Sequence, residues 1–321
     1  MMLLEVQNLQ SSFFLDRGEL KAVDNISFSI GEKETVALVG ESGCGKTIVA
    51  MSIINLMSLP GRIIGGRIIF EGQDLLQTKN DELIDIRGGE IGMIFQEPAS
   101  SLDPVYTIGN QLAEVIRRHS RLNSYEAKKQ SISMLGDVGF TKPEMWASTY
   151  PHELSGGMIQ RAAIAIAMST APKLLIADEP TTALDVTVQA EILDLLKYLR
   201  DKNNMSMLLI SHDIGVIEEM SDRVLVMYAG RICEKGPLDS ILNHAMHPYT
   251  QGLLKSVCRL GDQKDEFISN IPGAVPDLLD LPVGCSFHPR CYKKTDKCES
   301  SFPEMSSINE EHDCACYRLK D

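Results

Sequence analysis

Long apolar runs are missing from this 321-residue chain. A membrane-spanning helix needs about 18 or more consecutive apolar residues, and the richest stretch, Ala162–Met168, falls far short. The first residues, MMLLEVQNLQ, hold no basic leader and reach Glu5 almost at once. The expectation is therefore a chain without a secretory signal that stays in the cytoplasm. Positive charge is also scarce: 31 Lys and Arg stand against 44 Asp and Glu, a net charge of −13. Wholesale nucleic-acid binding relies on cations that neutralise phosphates, so nucleic acid is not an expected partner, whereas a local pocket for a nucleotide stays compatible. Solenoid repeats and low-complexity tracts are absent, and so are the tight C-x2–4-C knuckles of structural zinc sites. What is present is an ordinary globular composition, 44% hydrophobic and 23% charged, enough for one large domain with an appendage or for two domains.

Short β-rich apolar runs recur at Thr35–Val39, Arg67–Phe70, Ile91–Phe95, Leu174–Ala177, Met207–Ile210 and Val224–Tyr228. Several lead into helical patterns, at Ile48–Leu56, Met158–Met168 and Val188–Lys202. Strands alternating with helices predict an α/β fold with a mainly parallel sheet. The stretch Pro98–Thr170 breaks that rhythm and reads as a mostly helical lobe. Beyond His247–Pro248 the character changes, with Pro272, Pro276, Pro282, Pro289 and Pro303 set among cysteines, so a boundary is placed there.

Residues 40–47 read Gly-Glu-Ser-Gly-Cys-Gly-Lys-Thr, a full G-x-x-x-x-G-K-T pattern between a strand and a helix. Gly40, Gly43 and Gly45 allow a curled backbone whose N–H groups point at phosphate oxygens. The following helix N-terminus adds a favourable dipole. Lys46 is placed for the β- and γ-phosphates, and the Thr47 hydroxyl for Mg²⁺. Ser42, Cys44 and Ile48 complete the expected nucleotide contacts. Cys44 lies where a helix N-terminus stabilises a thiolate; it reads as tolerated rather than catalytic, with its alkylation expected to block ATP binding. A second strand, Leu174–Ala177, ends in Asp178 and Glu179, at the end of a strand where α/β folds place ligands. Asp178 is expected to hold Mg²⁺ through water, and Glu179 to polarise the attacking water.

With these residues in order, the chain resembles the ABC transporter ATPases across residues 1–245. Leu154-Ser155-Gly156-Gly157-Met158 looks like the family signature, which normally ends in Gln. Ser155 is a good N-cap and the two glycines expose N–H groups, a second anion site; read alone, such a triplet is more often a plain turn before a helix. The resemblance implies that it closes over the γ-phosphate held by an opposite subunit. It also implies that Gln96 is the Q-loop glutamine, contacting Mg²⁺ and water. Asp185, in Ala183-Leu184-Asp185, matches the loop that crosses the dimer interface, and His212 the switch histidine that positions Glu179. An aromatic residue is expected to stack on adenine, Phe13 in preference to Phe14. The implied fold is a P-loop NTPase (RecA-like) core with an antiparallel β subdomain and a helical subdomain at about residues 97–170. A small Pro/Cys-rich C-terminal domain, residues 246–321, follows the nucleotide-binding domain of residues 1–245.

Finer motifs narrow the resemblance to oligopeptide and dipeptide importers. They include Gln96-Glu97-Pro98-Ala99-Ser100-Ser101-Leu102-Asp103-Pro104, His247-Pro248-Tyr249-Thr250, Ile271-Pro272-Gly273 and the run from Leu281 through Cys285 to Cys291. The resemblance points to the first of two paired ATPases. It implies a homologous second ATPase as partner (or a second copy of this chain in isolation), two transmembrane permease subunits and an extracytoplasmic peptide-binding protein, with the chain on the cytoplasmic membrane face. A related nickel or oligosaccharide importer is the alternative, and a soluble nucleic-acid-associated ABC ATPase a more distant one. Five of the eight cysteines fall within Cys285–Cys316. Cys285, Cys291, Cys298 and Cys316 follow the pattern C-x5-C-x6-C-x17-C, looser than zinc knuckles and compatible with a [4Fe–4S] cluster, which some relatives carry. Zinc and no centre at all stand as alternatives, and Cys314 competes with Cys316 as the fourth ligand.

Overall fold

The computed structural model describes residues 1–182, 184–256 and 271–319. The chain packs as two compact units, each assembled from separated segments. One consists of Met2–Ile30, Thr35–Leu76 and Ile210–Asp321; the other of Met1, Gly31–Glu34 and Gln77–Leu209.

In the first unit, Thr35–Val39 is apolar at nearly every position and buried throughout, the pattern of a strand covered on both faces. It pairs in parallel with Arg223–Tyr228, placing Ala37 opposite Val224 and Val39 opposite Val226. Arg231–Pro237 adds an antiparallel neighbour, and Asp313–Cys314 pairs with that strand in turn. A separate four-stranded antiparallel sheet contains Met2–Leu15, Gly18–Gly31, Gly61–Phe70 and Gln73–Asp74. Its two long strands are less regular in sequence, because an exposed polar turn at Asp16–Arg17 and mixed polar positions interrupt them.

The second unit carries the parallel pair Ile91–Ile94 and Leu174–Asp178, with Ile94 opposite Ala177; Ser206–Ser211 lies next to the latter strand. Its helical part contains Ile108–His119, Ser124–Asp137 and Gly156–Met168. Ile108, Leu112 and Ile116 fall on one buried face, at the spacing of an amphipathic helix. Asn123 and Glu126 cap the next helix reciprocally: the Asn123 side chain accepts from the Tyr125 and Glu126 N–H groups, and Glu126 accepts from the Asn123 N–H. Helix Val186–Asn203 starts on an Asp185 cap and stops at Asn204, whose left-handed φ of 51° ends the helical path. It buries Ile192, Leu193, Leu195, Leu196 and Leu199, each contributing about 1.5–3 kcal/mol. No helix among the described residues is long and apolar enough to cross a membrane.

Candidate functional site

The phosphate loop is held in place from several sides. Strand Thr35–Val39 delivers Gly40, and helix Lys46–Ile53 leaves from Gly45. A Cβ on Gly40 would lie 2.2 Å from the Met227 carbonyl oxygen, and one on Gly45 2.2 Å from that of Ala22. Gly45 also has φ +107°, so both its neighbours and its backbone require glycine. The Gly230 N–H donates to the Cys44 carbonyl at 2.9 Å. Lys46 is buried, its Nζ donating to the carbonyls of Gly40 at 2.8 Å and Glu41 at 3.2 Å. Ser42, Gly43 and Thr47 are exposed, and Ile48 is half-buried. Cys44 departs from the expectation drawn from its position. It is fully buried, and burial raises its pKa more than Lys46 lowers it. The thiol is therefore protonated and enclosed rather than a stabilised thiolate open to alkylation.

In the other unit, Asp178 closes its strand almost wholly buried. Glu179 follows with φ +48°, a left-handed conformation that strains a residue with a side chain and turns it out of the strand. Its Oε2 accepts from the Thr182 hydroxyl at 2.8 Å and from the Gln96 side-chain amide at 3.3 Å. Thr182 was not singled out from the sequence; its place three residues after Glu179 is the signal. Ser155 occupies the N-cap position of helix Gly156–Met168, but its hydroxyl accepts no capping bond, unlike the role expected of it. The first N–H groups of that helix are thus not covered by this side chain. Gly157 faces Val188, whose Cγ1 would meet an added Cβ at 2.9 Å, while nothing lies within 4 Å of one on Gly156. Asp185 accepts from the Val188 N–H at 3.0 Å as a helix cap. Ala183, in the same segment, lies outside the described residues.

His212 is exposed directly after strand Ser206–Ser211. Phe13 is half-buried and packs against Gly61, whose added Cβ would lie 2.8 Å from the ring. Phe14 is the more exposed and lies beneath the Arg62 guanidinium, 5.8 Å from the ring centre. Gln96 and Asp178 offer amide and carboxylate oxygens in one unit and Thr47 a hydroxyl in the other, each a hard donor of the kind that suits Mg²⁺. The buried Asp178 carboxylate is a group that a cation would compensate.

Cys285, Cys291, Cys298 and Cys316 line one small cavity, together with His247 and Phe287. Cys314 is not among its lining residues; it is buried in the sheet opposite Glu234. Burial, followed by the neighbouring cysteines, pushes the Cys285 thiol up to about 11, and burial also raises Cys291 and Cys316. Among the described residues no three His, Cys, Asp or Glu side chains stand close enough together to hold a metal ion. The four thiols share the chemistry of an iron–sulfur ligand set.

Comparison with known proteins identifies the family. The ABC transporter family matches residues 23–182, and the oligopeptide/dipeptide transporter C-terminal region matches 233–298. The oligopeptide transport ATP-binding protein AppD of Bacillus subtilis is 47% identical over 320 residues, covering 99% of this chain and 97% of that protein. A protein of Brucella ovis named for peptide import ATP binding is 45% identical, over 99% of this chain and 98% of its own length. Among solved structures, a dimeric ATP-binding cassette in a post-hydrolysis state with ADP and Pi superposes with a TM-score of 0.66 at 26% identity, covering 73% of this chain and 98% of its own. A component of an ABC transporter complex from Clostridium perfringens gives a TM-score of 0.64 at 26% identity, covering 76% of this chain and 91% of its own. The chain belongs to the ABC transporter ATPases, in the branch that carries the oligopeptide/dipeptide transporter C-terminal region.

Proposed function

We propose that this ATPase drives peptide import through separate membrane permease subunits, working at the cytoplasmic membrane face beside a homologous ATPase and supplied by an extracytoplasmic peptide-binding protein. The observation that carries the mechanism is the Glu179 carboxylate, held by Thr182 and Gln96 one residue beyond the buried Asp178. Residues 1–245 act as the nucleotide-binding domain and 246–321 as its appendage.

The Gly40–Thr47 backbone and Lys46 bind the phosphates of ATP. Thr47, Gln96 and Asp178 would hold Mg²⁺, which would supply neutralisation of phosphate charge. Glu179 accepts a proton from the attacking water, and His212 orients that carboxylate and the water. Such hydrolysis depends on positioning and charge neutralisation more than on covalent chemistry. Phe13 supplies the adenine stack. Ser155, Gly156 and Gly157 serve the nucleotide bound on the opposite ATPase, with Asp185 at the shared interface. Two ATP molecules thereby hold the pair closed until hydrolysis opens it.

Cys285, Cys291, Cys298 and Cys316 would hold a [4Fe–4S] cluster, which would clamp the C-terminal segment and tie its folding to the metal. Anaerobic purification with iron and sulfide analysis checks this; an iron-free, fully folded chain rejects it.

Reconstitution in proteoliposomes tests the whole reading. The chain, its companion ATPase and the permease subunits, with the peptide-binding protein outside, should take up di- or oligopeptides on addition of ATP inside, at the side of the ATPases. Uptake of nickel or an oligosaccharide without peptide would redirect the cargo assignment, and ATPase activity indifferent to the permeases would overturn the transport reading.

A further inference from the structure

Glu41, the second residue of the phosphate loop, is the point where two separated parts of the C-terminal segment, at Tyr249 and Arg290, meet. Its carboxylate accepts both arms of the Arg290 guanidinium, at 2.7 and 3.0 Å, the two-pronged geometry that makes Arg–carboxylate pairs strong and directional. Its backbone N–H donates to the Tyr249 hydroxyl at 2.8 Å. Its carbonyl accepts from Lys46 at 3.2 Å. Arg290 is itself anchored: Nε donates to the Pro272 carbonyl at 2.9 Å and Nη1 to the Tyr228 hydroxyl at 3.3 Å. Only 5% of the arginine side chain is exposed, against 28% for Glu41. Behind these contacts, Tyr228, Tyr249 and Phe287 pack ring against ring with centroids 4.6–5.4 Å apart.

A carboxylate is an unfavourable neighbour for an anion site. Left unpaired, Glu41, whose side chain is 28% exposed, would set a negative charge beside the backbone that must receive a polyanionic phosphate chain, a repulsion that added salt reduces. It would also be free to pull the loop out of shape. Arg290 cancels that charge and fixes its direction, while Tyr249 uses the Glu41 N–H and so sets the orientation of that peptide plane. We propose that Arg290 is a positioning residue for nucleotide: by neutralising and holding Glu41, the C-terminal segment sets the affinity of the phosphate loop for a nucleoside triphosphate. This rests on Gly40–Thr47 being the phosphate site.

The test is calorimetric titration of the full chain with Mg-ATP at two ionic strengths, with thermal unfolding of every variant. Arg290→Gln is expected to weaken Mg-ATP binding about tenfold or more at low salt, and by less at high salt as the exposed Glu41 charge is screened. Adding Glu41→Gln to that variant should bring the affinity back to within about threefold of the parent. A purely structural role would show neither the salt dependence nor the rescue. Unchanged affinity in Arg290→Gln, or a double variant as weak as the single one, overturns the proposal. Should Arg290→Gln fail to fold, Arg290→Lys with and without Glu41→Gln carries the comparison: a deficit relieved by the second change supports it, and equal affinity in the two overturns it. Lys46→Ala separates the underlying reading. Retained ATP binding in that variant rejects the phosphate site itself, whereas its loss beside normal binding in Arg290→Gln rejects only the role of Arg290.

Discussion

The phosphate loop and the carboxylate strand end are built to opposite standards. Around the loop, Lys46 is buried with bonds of 2.8 and 3.2 Å, Gly40 and Gly45 have no room for a Cβ, and Glu41 is held from both its side chain and its backbone. Around Glu179, a 2.8 Å bond from Thr182 stands beside a longer one of 3.3 Å from Gln96, the backbone sits at φ +48°, and Gln96 is exposed. The Ser155 turn likewise offers a helix start whose cap residue makes no capping bond. A tightly determined loop suits binding, where pre-organisation preserves affinity. The proposed catalytic carboxylate, on a strained turn with one short and one longer bond, suits a reaction that should begin only when its surroundings are complete, because catalytic bonds often tighten in the reacting complex.

Four experiments break or sharpen that contrast. The largest effect is expected from Glu179→Gln, which should lower ATP turnover by about 10²–10⁴-fold while Mg-ATP affinity stays within a few-fold of the parent; phosphate release and calorimetry read the two quantities. Normal turnover would remove Glu179 from the mechanism. Gly45→Ala strikes the tight side and should destabilise the chain by about 3 kcal/mol or more in urea unfolding, since an Ala22 carbonyl and a positive φ both oppose it. A wild-type midpoint would mean that the loop yields easily.

Acid should loosen the same side. His247 is buried, its Nδ1 accepts from the Tyr249 N–H at 3.1 Å, and burial lowers its pKa to about 4. The folded chain thus keeps this ring neutral where the unfolded chain protonates it. Its contribution is complete above the ordinary histidine value of about 6.5 and is lost as pH falls toward 4, a difference of about 3 kcal/mol. Denaturant titrations across that range should show a slope that His247→Asn removes; an unaltered slope would refute the assignment. The smallest effect separates two neighbouring glycines. Gly157→Ala should cost about 1–2 kcal/mol through its clash with Val188, and Gly156→Ala should stay within about 0.5 kcal/mol. Equal effects would show that the turn adapts freely.

Local chemistry was readable from the chain; distant partnerships were not. A glycine-rich run between an apolar strand and a helical pattern is a short-range signal, and the structure has Thr35–Val39 and Lys46–Ile53 at its two sides. The α/β alternation and the helical stretch between the strands at Ile91–Ile94 and Leu174–Asp178 were visible for the same reason: hydrophobic period is local. Cys44 misled because helix-end position suggests a thiolate, while its burial depends on packing that position does not encode. Arg290 and Tyr249 could not be linked to Glu41 by any periodicity, since they stand 249 and 208 residues away along the chain. The two long N-terminal strands were underestimated because polar positions interrupt their alternation.

The pairing of Thr35–Val39 with Arg223–Tyr228 has a bearing on biogenesis. A ribosome must add nearly two hundred residues after the first strand before its neighbour exists, and still more before Tyr249 and Arg290 emerge. Contacts so remote in sequence form slowly and leave apolar edges uncovered meanwhile. On the proposed role of Arg290, a product ending before that residue would hold nucleotide about tenfold more weakly than the finished chain.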